Sequence, residues 1–231
     1  MIERPIPSSS ASKDSSRVAN RRVVLAGATG LVGRALLQGL LADDEVTAVH
    51  TIGRRPFAIQ HPKLTSHVVD FTALPLLPPL DEAYLALGTT IKVAGSQAAF
   101  RAVDFDANLS VARAALTAGV RRVGLVSAVG ADARSSIFYN RVKGELEESL
   151  STLGFDALVI ARPSLLTGDR ETLGQPARAG EKIATYAGRL LKPFIPADYR
   201  PIAAVNVARA LLERVPVAQR REVLFSGAMQ D

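Results

Sequence analysis

From Arg21 onward, short apolar runs rich in β-branched residues alternate with segments whose apolar positions recur every three or four residues. The runs predict strands at 22–27, 45–52, 65–70, 82–88, 122–128, 156–161 and 222–226. The helical periods predict helices at 31–42, 97–118, 136–153 and 202–214. Between the third and fourth strands, the prolines of 75–79 leave a helix short or missing. Strands this apolar, alternating with helices, imply a parallel sheet covered on both faces, which is an α/β, doubly wound architecture.

Two helix ends are marked by glycine: Gly119 follows the 97–118 period and Gly154 follows 136–153. Ser135 or Ser136 is the expected N-cap of the latter helix. Along it, Phe138, Val142, Leu146, Leu150 and Leu153 form one apolar stripe facing the sheet. Tyr139 and Lys143 lie about 100° around from that stripe, so they are expected to border the core without being in it.

The chain has 231 residues, 48% of them hydrophobic, which is enough for one α/β domain and too little for two of ordinary size. Residues 1–20, with six serines, two prolines and no apolar period, read as a disordered leader to a domain spanning 21–231. The absence of cysteine excludes disulfides and thiol chemistry and suits a reducing compartment. His50, His61 and His67 have no carboxylate cluster around them, and no metal is expected. Half of the net charge of +6 falls in residues 1–22, where Arg4, Lys13, Arg17, Arg21 and Arg22 outnumber Glu3 and Asp14. The remainder is scattered without interleaved aromatics, so no nucleic-acid partner is expected and anionic small molecules fit better. Neither a long apolar run nor a signal-peptide core is present, and the expectation is a cytoplasmic protein without an integral membrane segment.

Candidate chemistry gathers at two places. Gly27-Ala28-Thr29-Gly30-Leu31-Val32-Gly33 lies where the first strand gives way to the first helix. Glycines there let backbone N–H groups approach a pyrophosphate, and the helix N-terminus adds partial positive charge. Farther on, Tyr139-Asn140-Arg141-Val142-Lys143 sets a phenol and an ammonium one helical turn apart, within mutual reach. Ser127 ends the strand that precedes them. The ordered set points to a dinucleotide site on a Rossmann-type sheet.

With these marks the chain resembles the short-chain dehydrogenase/reductase superfamily, and more narrowly its atypical members related to the Tat-interacting-protein group of NADPH-binding proteins. The resemblance covers roughly residues 21–229 and includes Ile52-Gly53-Arg54-Arg55-Pro56 after the second strand and Arg162-Pro163 ending the sixth. It implies that Tyr139 protonates a carbonyl oxygen as hydride arrives, that Lys143 binds the nicotinamide ribose and lowers the phenol pKa, and that Ser127 hydrogen-bonds the substrate oxygen. The implied cofactor contacts are Gly27, Thr29, Gly30, Leu31, Val32 and Gly33 at the phosphates, Asp70 and Phe71 at the adenine, and Leu87, Gly88 and Thr89 beneath the nicotinamide ribose. Tyr139, Lys143, Arg162 and Pro163 complete that set. Arg54 and Arg55 stand where an NAD site would carry an acid, and two guanidiniums favour the 2′-phosphate of NADP(H).

The chain also departs from the superfamily. Many members carry Val-Asn in the helix after the fourth strand, where this chain has Val103-Asp104. The Tyr-Gly that follows Arg-Pro in extended members is replaced by Thr167-Gly168, and Val205-Asn206-Val207-Ala208 lacks their acid.

Two readings of function follow. The first is an NADPH-dependent oxidoreductase that reduces a carbonyl of a small or medium apolar substrate. Its variable lid would be 169–200, with Leu173, Ile183, Tyr186, Leu190, Pro193, Phe194, Ile195, Pro196 and Tyr199 as wall. The second is an NADPH-binding redox sensor or regulatory scaffold without turnover, acting on a protein partner. An epimerase or dehydratase of nucleotide sugars is disfavoured by the short C-terminal region. The helices at 97–118 and 136–153 pair subunits in many superfamily members, which leaves room for a homodimer.

Overall fold

Seven parallel strands make the central sheet: β1 (Arg21–Ala26), β2 (Val46–Gly53), β3 (Leu64–Val68), β4 (Glu82–Leu85), β5 (Arg122–Val126), β6 (Ala157–Arg162) and β9 (Arg221–Phe225), in the order β3-β2-β1-β4-β5-β6-β9. A separate parallel pair is formed by β7 (Leu166–Thr167) and β8 (Ile202–Ala203). The computed structural model describes residues 20–56, 59–168 and 196–230. The leader and most of the expected lid lie outside these residues.

Period-two geometry divides each strand between two cores. In β1, Val23 and Leu25 join the cluster under α1 (Leu31–Ala42) and α6 (Ala204–Arg214), which contribute Leu36, Leu37, Leu40, Val207 and Leu211. Val24 and Ala26 join the opposite cluster under α4 (Asn108–Thr117) and α5 (Phe138–Ser151), with Val111, Ala115, Leu146 and Leu150. The connection from β3 to β4 contains no helix. Phe71, Leu74 and Leu77 pack on the second cluster in its place.

Three predicted elements differ from the observed ones. The 97–118 helix is broken into α3 (Gln97–Arg101), a π-helical turn at Ala102–Ala107, and α4; a short α2 (Ile91–Ala94) precedes them. The 202–214 helix begins at Ala204, because Ile202 N–H donates to Leu165 O and pairs with β7 instead. The predicted serine cap is replaced by Ile137 at the N-cap of α5, with no side-chain cap; Ser135 Oγ accepts from Ile137 N–H one step earlier.

Chain order reverses at the β1/β4 boundary, which opens a crevice at the carboxyl ends of the strands.

Candidate active site

The exit of β1 shapes one wall of the crevice. Gly27 has φ +91°, and a side chain there would come within 2.4 Å of Ala86 O on the neighbouring strand. A methyl at Gly33 would lie 1.9 Å from Gly27 O, so this glycine lets α1 close against the turn. Gly30 differs from both. It is the N-cap of α1, with extended backbone and no side-chain cap, and a methyl on it would meet only Gly27 O at 3.5 Å. The fold has room for a methyl at this position, next to the first-turn N–H groups of α1. Thr29 is exposed, Leu31 half-buried and Val32 buried next to this turn.

Opposite, α5 carries Tyr139 and Lys143. The Tyr139 ring is set by Phe100, whose centroid is 5.3 Å away, and its hydroxyl hydrogen-bonds to no described residue. Lys143 is 4% exposed, deeper than the helical wheel implied, because it reaches a carboxylate: its Nζ is 2.7 Å from Asp104 Oδ1. Burial works against that ammonium, but the charges of Asp104, Tyr139 and Glu147 and the Asp104 hydrogen bond outweigh it and raise its pKa. The β4 exit closes on the same point. A methyl on Gly88 would lie 3.9 Å from Lys143 Nζ, and Thr89 N–H donates to Asp104 Oδ2 at 2.8 Å. Tyr139, Lys143 and Gly88-Thr89 are thus brought together.

Ser127 is turned elsewhere. Its Oγ is 2.6 Å from Oε1 of the buried Glu147, where Arg162 reaches Oε2 at 2.6 Å and the half-exposed Arg221 approaches at 3.5 Å. A carboxylate paired with arginines accepts only, so the single serine proton is committed to Glu147. Pro163 is buried directly after Arg162.

The β2 and β3 exits lie on the other side of β1. Arg54 and Arg55 are exposed, with no hydrogen-bond or ionic partner among the described residues. Asp70 is exposed and takes the Thr72 N–H at 2.9 Å, while Phe71 is half-buried on the second core. Of the proposed lid, Pro196 and Tyr199 are described and exposed.

This geometry can be set beside known proteins. No protein-family model matches the chain. Over 223 residues it is 37% identical to fmp52 of Aspergillus clavatus, covering 89% of this chain and 95% of that protein. Over 227 residues it is 33% identical to HTATIP2 of Rattus norvegicus, covering 94% and 91%. The chain belongs to the atypical short-chain dehydrogenase/reductases. Fmp52 of Emericella nidulans is 41% identical over 180 residues, 74% of this chain and 76% of that protein.

Solved structures share the fold at low identity. WbmF of Bordetella bronchiseptica, solved with NAD+, has TM-score 0.65 at 18% identity, covering 91% of this chain and 74% of that one. A short-chain dehydrogenase family protein of Francisella tularensis also has TM-score 0.65, at 12% identity, over 92% and 100%. One expectation is overturned: both fungal relatives are named as mitochondrial proteins, which points away from the cytoplasmic setting inferred from composition.

Sequence reasoning did not select three residues packed around Lys143 and the β4 exit. Glu147 follows Lys143 by one helical turn, and a carboxylate beside the apolar stripe of α5 was the available signal. Asp104 was visible only as a departure from Val-Asn. Asn108, whose Nδ2 donates to Leu87 O at 3.1 Å, gave no signal, because the π-helical turn that creates its role is invisible in the apolar period.

Proposed function

We propose that the protein is an NADPH-dependent oxidoreductase that reduces a carbonyl of a small or medium apolar substrate by hydride transfer. The observation that carries this reading is the convergence of Lys143 and a Tyr139 hydroxyl without a hydrogen-bond partner among the described residues on the β4 exit, across the crevice from the N-terminus of α1.

The residues present fit a nicotinamide dinucleotide. Gly30 opens α1 without a side chain, and the first-turn N–H groups of α1 suit a pyrophosphate. Arg54 and Arg55, unpartnered among the described residues, suit a 2′-phosphate. Lys143 and the Leu87-Gly88-Thr89 exit would hold the nicotinamide ribose. The bound cofactor would supply the hydride.

The chain supplies the proton. Tyr139 Oη donates to the carbonyl oxygen as negative charge develops there, and Lys143 provides the positive field beside it. Ser127 has no free proton for that oxygen and acts by fixing Glu147. Leu165 and Tyr199, 38% and 62% exposed on the two flanks of 169–195, support an apolar substrate surface.

NADPH consumption measured over aldehydes, ketones and quinones tests the reading. Turnover of any carbonyl class supports it. Tight NADPH binding with no turnover would favour a redox sensor.

A further inference from the structure

Asp104 is fully buried on the π-helical turn Ala102–Ala107, with one carboxylate oxygen accepting a hydrogen bond and the other in ionic contact only. Oδ1 is 2.7 Å from Lys143 Nζ and Oδ2 accepts Thr89 N–H at 2.8 Å. A π turn adds a residue to the helical register, redirects the side chains around it and loosens the local carbonyls. Here Asn108 secures the turn: its Nδ2 lies within 3.3 Å of Val103 O, 3.1 Å of Asp104 O and 3.1 Å of Leu87 O on the β4 exit. The distortion is therefore tied to the same strand exit that Asp104 grips.

We propose that Asp104 is a positioning residue of the reductase site, whose carboxylate serves as the fixed counter-ion of Lys143 and locks the ammonium to the Gly88-Thr89 backbone. This rests on the functional reading above and deepens it: the group facing the reaction is an ion pair, not a lone cation. An asparagine here, as many superfamily members have, would leave the ammonium uncompensated. The consequence is electrostatic as well as steric. A buried ammonium without its counter-ion releases its proton more readily. The charged or titratable groups acting on Lys143 are Asp104 from the π turn and Tyr139 and Glu147 from its own helix, so removing Asp104 removes the partner held in direct contact.

The test uses the full chain with Asp104→Asn. Titration of the lysine side chains by heteronuclear NMR, with the Lys143 signal assigned from Lys143→Met, reads the coupling without any need for turnover. The Lys143 titration is expected to move down by about one pH unit or more. In the loaded enzyme, the alkaline limb of carbonyl reduction should move down with it, and kcat should change more than the KM for NADPH. A Lys143 titration unchanged by Asp104→Asn overturns the proposal. A moved titration in a protein that reduces nothing keeps the assignment of Asp104 and removes the reductase reading instead. Should Asp104→Asn fail to fold, the double variant with Lys143→Met decides: recovery of the folded state supports the pairing, and failure of the double variant overturns it.

Discussion

The hydroxyl of Ser127 is bound to the carboxylate of Glu147, 2.6 Å away, inside a cluster closed by Arg162 and Arg221. This ties the end of β5 to α5 and β6, the elements that frame one side of the crevice. Ser127→Ala removes one hydrogen bond to a charged group, worth about 1.5–3 kcal/mol. Glu147→Gln also removes the buried anion that Arg162 and the half-exposed Arg221 share and is expected to cost at least as much. Urea unfolding midpoints check both, and an unchanged midpoint for Glu147→Gln would mean that the cluster does not hold the site together.

The glycine turn separates ligand binding from folding. Gly33→Ala forces a methyl to within 1.9 Å of Gly27 O and should lower thermal stability sharply, whereas Gly30→Ala meets nothing closer than 3.5 Å. The Gly30 variant should therefore melt near the wild type yet bind NADPH at least about tenfold more weakly, if the pyrophosphate approaches the start of α1 as closely as this reading requires. Calorimetric titration beside a melting curve reads both. Wild-type affinity in Gly30→Ala would remove the pyrophosphate from this turn.

Much of this was legible in the chain. The β1 run Val23-Val24-Leu25-Ala26 is apolar at every position because its alternate residues enter two cores, and that continuity is what a sheet covered on both faces looks like in sequence. The helix predicted at 31–42 has the observed bounds, Leu31–Ala42. What stayed hidden depends on tertiary pairing. Nothing in Val103-Asp104-Phe105 announces a π turn, since the period tolerates one extra residue. Lys143 is counted as bordering the core until Asp104, distant in sequence, is brought to it. Likewise, Ser127 at a strand end invites a substrate role because Glu147 cannot be seen across the fold.

Cofactor choice turns on Arg54 and Arg55, exposed after β2 and unpartnered among the described residues. Replacing both by alanine should weaken NADPH binding by about tenfold or more and leave NADH binding nearly unchanged. Their exposure and lack of partners also mean that stability should hold. Equal losses for the two cofactors would defeat the assignment of the 2′-phosphate to this pair.

The two strands beside that basic turn carry a pair of histidines in contact. His50 on β2 lies with its Nδ1 3.0 Å from His67 Nε2, and the rings stack at 5.3 Å. Burial first, and then the charge of His67, holds His50 below its ordinary value of 6.5. The unfolded chain thus binds the proton more readily than the folded one. The contribution of His50 to stability is complete above pH 6.5 and is lost as the pH falls from there toward the folded-state value. Melting temperatures of the wild type should fall more steeply from pH 7 to pH 5 than those of His50→Gln, an interval chosen to bracket ordinary histidine titration. Parallel profiles would show that His50 does not carry the effect.

The central claim is that Tyr139 gives the proton to a carbonyl while Lys143 and the β4 exit hold the cofactor. Its most direct test is Tyr139→Phe, assayed for NADPH-dependent carbonyl reduction and, on the same preparation, for NADPH affinity. Turnover should drop by roughly a hundredfold or more, the scale of a lost general acid, with affinity changed by less than about threefold. Reduction continuing at the wild-type rate in Tyr139→Phe would contradict the account.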